Sequence, residues 1–378
     1  MSENHESDYG IKPVIGISTG DLNGIGIEVV IKTFEDERMF DHCVAILYGS
    51  SKALSYHRNV YKKEGFKYNI INHPEKAKEG VLNVLNCWEE QTNISLGVPD
   101  DTQGIYSLKA LEQVAHDIKK GLIDAIITAP VNKKHISLVK PGFAGQTEFF
   151  AESFEAKESL MMLVSDTMRM GLVTNHVPVN KIVESLSAEL IIDKIKLMNR
   201  SLIRDFMIDR PKIAVLALNP HAGDEGVIGS EDDDLIRPLV KLTNEKEGIM
   251  VFGPYAADGF FGSGTYRQFD GILAMYHDQG LIPFKALSFG QGVNFTAGLP
   301  HVRTSPDHGT AYDIAGKMIA EHDSFRKAVF DAIDILNNRA KFDEMHANPL
   351  DKMSKKLRQQ GFITNEDEAV GVVEETEE

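Results

Sequence analysis

IYSLKALEQVAHDIKKGLIDAIITA, residues 105–129, holds the alternation that decides the fold. Leu108, Leu111, Val114, Ala115 and Ile118 recur at three- and four-residue steps. They therefore share one stripe of a helix over Ile105–Lys120 whose other face carries the lysines. After Gly121 the composition changes, and Asp124–Ala129 is a short β-rich apolar run that reads as a strand. Runs of the same kind stand at Pro13–Thr19, Val44–Tyr48, Met162–Val164, Met170–Thr174, Lys212–Leu218, Met250–Phe252 and Gly271–Tyr276. Helical stretches fill the intervals, the clearest being Ser187–Asp205, Leu235–Leu242 and Asp323–Asn337. Strands alternating with helices predict an α/β protein built on a largely parallel sheet. No repeat and no low-complexity linker marks a boundary. The Pro/Gly-bearing Val139–Gly145 and the glycine-rich Ser288–Gly298 are the best crossings, giving a first lobe of 1–140 plus 295–378 and a second of 141–294.

The chain has 378 residues, 42% hydrophobic and 25% charged, which suits an ordinary globular protein long enough for two domains. No apolar run approaches the ~18–20 residues of a membrane helix, and Met1–Glu6 shows no basic region followed by an apolar one, so a cytoplasmic protein is expected. Cys43 and Cys87 lack the spacing of a disulfide, redox or zinc motif and read as reduced structural thiols. The formal net charge of −16 opposes binding to nucleic acid, and part of it lies in the acidic stretch NEDEAVGVVEETEE, residues 365–378. An anionic ligand would have to be held by a few local cations.

Three strand ends share a feature. Val173-Thr174-Asn175-His176, Leu218-Asn219-Pro220-His221 and Met275-Tyr276-His277-Asp278 each place a histidine directly after an apolar strand. In an open α/β sheet that edge borders the ligand crevice, so the imidazoles of His176, His221 and His277 can converge. Three nitrogens with open positions are the donor set of a catalytic metal site. Asp278 is placed to add an oxygen or orient a neighbour. A histidine at a strand end is also an ordinary loop residue, and spacings of about fifty residues do not themselves prove convergence.

Three further segments carry candidates. Ser18–Gly26, STGDLNGIG, leads from the first strand toward a helix; it suits close backbone approach to a ligand or simply a tight turn. Neither GxGxxG nor GxxxxGK[ST] occurs in the chain. Lys285–Gly309 combines Lys285, Asn294 and Arg303, a point charge, a neutral donor and a planar fork, which suit a phosphorylated acid or a solvated loop. In Gly145–Phe150, GQTEFF, Thr147 is placed as the N-cap of a helix whose amides would face the cleft.

Together GDLNGIGIE, ITAPVNK, GQTEFFAE, LVTNHVPV, LNPHAGDEG, GPYAAD, LAMYHDQGLIPFK and GVNFTAGLPHVRTSPDHGTA, in this order between about Pro13 and Ile319, resemble the 4-hydroxythreonine-4-phosphate dehydrogenase family of vitamin B6 biosynthesis. The resemblance implies the two-lobed isocitrate/isopropylmalate dehydrogenase-like fold and a homodimer whose partner completes each active site. It also implies NAD or NADP as oxidant and a divalent metal, zinc, magnesium, cobalt or manganese. The family's metal ligands fall on His176, His221 and His277, and its substrate contacts on Thr147, Lys285, Asn294 and Arg303. Gln146 stands where many relatives carry histidine, and Thr19, Leu22 and Ile27 stand where their first motif often has proline. Gln146 can hydrogen-bond a phosphate or hydroxyl but cannot become cationic. Lys285, with Asp258 and Asp278, completes the candidate catalytic set, the two aspartates being also readable as structural loop carboxylates. A sister enzyme acting on 4-phospho-threonate or 4-phospho-erythronate is the nearest alternative, followed by a phosphotransacetylase-like acyltransferase and a non-catalytic binding protein.

Overall fold

The computed structural model describes residues 12–348. Its first half runs β1 (Val14–Ser18), α1 (Gly26–Phe34), β2 (Val44–Gly49), α2 (Ser51–Val60), β3 (Tyr68–Ile71), β4 (Leu82–Asn86), α3 (Gln103–Lys119), β5 (Ala125–Thr128), α4 (Lys133–Val139) and α5 (Gln146–Ser153). It continues through β6 (Leu160–Val164), β7 (Arg169–Leu172), α6 (Ile182–Ser185), α7 (Ala188–Arg204), β8 (Ile213–Leu216), α8 (Arg237–Glu247) and β9 (Val251–Tyr255). The last elements are α9 (Ala257–Gly262), β10 (Gly271–Ala274), α10 (His277–Ser288), β11 (Val293–Ala297), β12 (Val302–Pro306) and α11 (Asp323–His346). By contacts the chain separates into a unit ending at Arg339 and a remainder from Ala340. The acidic stretch 365–378 lies outside the described residues.

The strands form one sheet of order β3-β4-β2-β1-β5-β12-β11-β6-β7-β10-β8-β9. β11 runs antiparallel to β6 and β12, and β6 antiparallel to β7; the other described pairings are parallel. The expected α/β class and largely parallel sheet are thus observed. The expected helix at 105–120 is α3, where Leu111, Val114, Ala115 and Ile118 are buried, the three larger side chains each contributing on the order of 1.5–3 kcal/mol if fully removed from water.

All eight expected strands form, with ends moved by a few residues. β3, β4, β11 and β12 were not expected. Ser288–Gly298, read as a glycine-rich crossing, contains a central strand, and Arg303 lies on β12 rather than in a loop. Thr147 is not a cap: Gly145 occupies that position without a side-chain bond, and Thr147 is already the second residue of α5. Gly20–Gly26 is a buried tight turn. Gly20 has φ +69°, and a Cβ there would stand 2.3 Å from the Pro130 carbonyl oxygen, so glycine is required.

Alternation along the strands distributes the core. One apolar cluster covers one face of the sheet from Ile15, Ile17 and Leu47 through Val293 and Val302 to Leu273 and Met275. The opposite face carries two separate clusters, one around Ile46, Tyr48 and Ile126 and another around Leu163, Leu172, Ala214 and Ile272. Between them, on that face, the central strands carry Thr128, Arg303 and Asn294. A polar site thus interrupts the second core layer.

Candidate active site

A cavity of about 520 Å³ lies at this interruption. Its wall includes Thr128 at the end of β5, Lys133 at the start of α4, the first turn of α5, His176, the first two turns of α10, Asn294 on β11 and Arg303 on β12. Of the residues expected from the sequence, Gln146, Thr147, His176, His277, Asp278, Lys285, Asn294 and Arg303 line it together. His221 and Asp258 do not.

The histidines sit where their strands end. β7, β10 and β8 are parallel neighbours, so His176, His277 and His221 leave the same edge of the sheet. Side-chain bonds tie these exits together: the Thr174 hydroxyl donates to Met275 O at 2.8 Å, Met275 N–H to Gln279 Oε1 at 2.7 Å, and Gln279 Nε2 to Ala217 O at 2.5 Å. The rings of His176 and His277 stand 5.7 Å apart, centroid to centroid. His277 Nδ1 lies 2.7 Å from Asp278 Oδ1, which fits a proton donated to the carboxylate and orients the ring. Burial, reinforced by the Lys133 ammonium, holds the His176 pKa below its ordinary value and favours the neutral imidazole. His221 is exposed in a left-handed turn, with φ +55° at His221, +54° at Ala222 and +46° at Asp224. The turn is anchored by the buried Asp232, whose two oxygens accept the Leu218 and Asn219 N–H groups at 2.7 and 2.9 Å. Among the described residues no group of three or more His, Cys, Asp or Glu side chains gathers as a metal site within one chain.

Arg303 is the deepest cation, 1% exposed. Burial pulls its pKa down to about 10, so it remains charged at neutral pH, and the Glu148 carboxylate opposes that shift. The Nε group has no partner. The buried Asn294 Oδ1 and His308 Nε2, both in the cavity wall, also lack partners. Lys285 Nζ donates to Asp307 O at 2.9 Å. Lys133 approaches His176 Nε2 at 3.2 Å, and burial lowers its pKa. Lys133, Glu148, Asp307 and His308 escaped sequence reasoning because each is a common residue type whose role depends on which strand end or helix it borders. ITAPVNK, GQTEFFAE and GVNFTAGLPHVRTSPDHGTA, the motifs that contain them, were the available signal. Asp258 is exposed on α9.

A buried cation without a carboxylate partner, two further cations and paired imidazoles at the edge of a largely parallel sheet define an α/β enzyme for a small anionic substrate. Comparison with known proteins narrows this class. The family model described as "Pyridoxal phosphate biosynthetic protein PdxA" matches residues 41–332. The chain is 49% identical over 339 residues to the 4-hydroxythreonine-4-phosphate dehydrogenase of Bacteroides thetaiotaomicron, covering 89% of this chain and 93% of that one. It is 40% identical over 331 residues to that of Prosthecochloris aestuarii, covering 85% and 96%. The crystal structure of 4-hydroxythreonine-4-phosphate dehydrogenase from Klebsiella pneumoniae superposes with a TM-score of 0.75 at 31% identity, covering 86% of this chain and 98% of that one. The chain belongs to the PdxA family of pyridoxal phosphate biosynthetic proteins. Among the described residues no helix is long and apolar enough to cross a membrane.

Proposed function

We propose that this chain oxidises 4-phosphohydroxy-L-threonine with NAD or NADP to 2-amino-3-oxo-4-phosphooxybutanoate, which loses carbon dioxide to give 3-amino-2-oxopropyl phosphate. The observation that carries the reading is the buried guanidinium of Arg303, hydrogen-bonded to no carboxylate, in the same cavity as His176 and His277. A buried guanidinium whose hydrogen bonds go only to neutral groups and whose Nε–H is unpartnered is costly unless a ligand answers it, and an anionic phosphate oxygen does so.

In this reading Arg303, Lys285, Asn294 and Thr147 bind the phosphorylated end of the substrate, with Gln146 beside them. The unpartnered acceptors at Asn294 Oδ1 and His308 Nε2 suit N–H and O–H groups of substrate or nicotinamide carboxamide. His176 and His277 fit a divalent ion, zinc, magnesium, cobalt or manganese, since their rings stand side by side, His176 favours the neutral imidazole and Asp278 orients His277; the third donor would be His221 of the partner subunit. Such an ion, when bound, would supply a lowered pKa at the substrate hydroxyl, and a nicotinamide would supply the hydride acceptor. Asp278 orients His277. Lys285 neutralises charge at the phosphate end, while Asp258, outside this chain's cavity, would act only at a site shared between subunits. The exposed Val179, Val183, Val227 and Ile228, close in sequence to His176 and His221, suit the homodimer this requires. Within residues 12–339 the two-lobed division, 12–140 with 295–339 and 141–294, is supported by the sheet order: β1–β5 with β12 in one half and β6–β11 in the other, β11 straddling the second boundary.

The test is reduced-nicotinamide formation from 4-phosphohydroxy-L-threonine compared with 4-phospho-threonate and 4-phospho-erythronate. Turnover of the amino acid is expected; turnover of the hydroxy acids alone would transfer the chain to the sister activity.

A further inference from the structure

The hydrogen-bond partners of Arg303 are uncharged. Nη2 donates to Thr128 Oγ1 at 2.6 Å and to Gln146 Oε1 at 2.5 Å, and Nη1 to Thr296 Oγ1 at 3.3 Å. The Phe150 ring centroid lies 5.9 Å from the guanidinium carbon. Gln146 is fixed at both ends of its amide. Its Oε1 also accepts from the Thr128 hydroxyl at 2.8 Å, and its Nε2 donates to Ala129 O at 3.0 Å. One amide oxygen thus serves two donors, one of them cationic, while its nitrogen is moored to the end of β5.

We propose that Gln146 is a positioning residue: with Thr128 it forms an uncharged clamp that fixes the guanidinium of Arg303 and leaves its positive charge for the substrate phosphate. The inference rests on the reading of Arg303 as the phosphate-binding cation and assigns Gln146 an action through Arg303. The residue type follows from the geometry. An imidazole at 146 has at most one acceptor nitrogen, and none when protonated, so it cannot accept from both Thr128 and Arg303. A glutamate would accept both bonds but would cancel the charge the ligand needs. Glutamine does the first without the second.

Calorimetric titration of the full chain with inorganic phosphate, alongside KM and kcat for the phosphorylated substrate, tests this in Gln146→Met, Gln146→Glu and Arg303→Met, with thermal midpoints confirming folding. Arg303→Met is expected to abolish phosphate binding. Gln146→Met should weaken it roughly 10-fold through a disordered guanidinium, with KM rising and kcat moving less. Gln146→Glu should weaken it further, by roughly 100-fold, although it keeps the bonds accepted from Thr128 and Arg303 and loses only the one donated to Ala129 O. A role confined to holding the guanidinium through its hydrogen bonds predicts the reverse order, with the glutamate variant weakened less than the methionine variant, and that order would overturn the proposal. So would both Gln146 variants binding phosphate as wild type does while Arg303→Met does not bind it. Retained phosphate binding in Arg303→Met, or none in wild type, would instead refute the reading of Arg303 and the clamp with it.

Discussion

Arg303 shows how one side chain can define a site. Its strand neighbours Val302 and Thr304 are buried on the other face of β12, so alternation directs Arg303 into the gap between the two smaller core clusters. There it meets hydroxyls and an amide instead of a carboxylate. A lysine at this position keeps the charge but loses the planar fork. Arg303→Lys is therefore expected to raise KM for the phosphorylated substrate on the order of 100-fold, with a smaller loss in kcat. Steady-state kinetics decide it, and an unchanged KM would remove Arg303 from the phosphate site. The residue type was legible in the sequence as a candidate anion ligand. Its burial and neutral surroundings were not, because they depend on Thr128, Gln146 and Thr296, which come from three other elements.

Among the elements, strands covered on both faces by apolar residues announced themselves: VAILYG of β2 and GILA of β10 are apolar throughout. β11 and β12 did not. VNFTA and VRTSP give one face to the cavity, so Asn294 and Arg303 interrupt the apolar pattern that would mark a strand. β4 was hidden for a similar reason, since the buried Asn83 replaces an apolar side chain and donates to the Ala45, Lys78 and Val81 carbonyls. The histidine-bearing strand ends were legible because each histidine directly follows a continuous apolar run. The gathering of only His176 and His277 in one cavity was not, because sequence spacing carries no distances. On α11, Asp331 offers a test of packing. Burial raises its carboxyl pKa to about 6, although Lys327 lies 3.4 Å away and is shared with Asp166. A carboxyl whose pKa is raised on folding stabilises the fold below its unfolded value, near 4, and loses that contribution as pH rises through about 6. Asp331→Asn should therefore match wild type in urea unfolding near pH 4 and exceed it by on the order of 2 kcal/mol at pH 7. A difference independent of pH would show that burial does not strain this carboxyl.

At the scale of the whole molecule, a chain of net charge −16 must hold an anionic substrate through local cations, which the cavity supplies as Arg303, Lys285 and Lys133. The arrangement of histidines bears on assembly. His176 and His277 line the cavity of one chain while His221 stands exposed outside it, and the proposed reading has a second copy supply it. Mixing His176→Ala and His221→Ala subunits, each inactive alone, should then restore activity in heterodimers, approaching about a quarter of wild type after random exchange. Persistent inactivity after demonstrated exchange would place all three ligands in one subunit. The most direct measurement is reduced-nicotinamide formation by the purified chain with 4-phosphohydroxy-L-threonine, before chelation, after chelation, and after divalent metal is returned. Turnover that disappears with the chelator and returns with metal is the expected result; turnover that continues unchanged in the metal-free protein would contradict it.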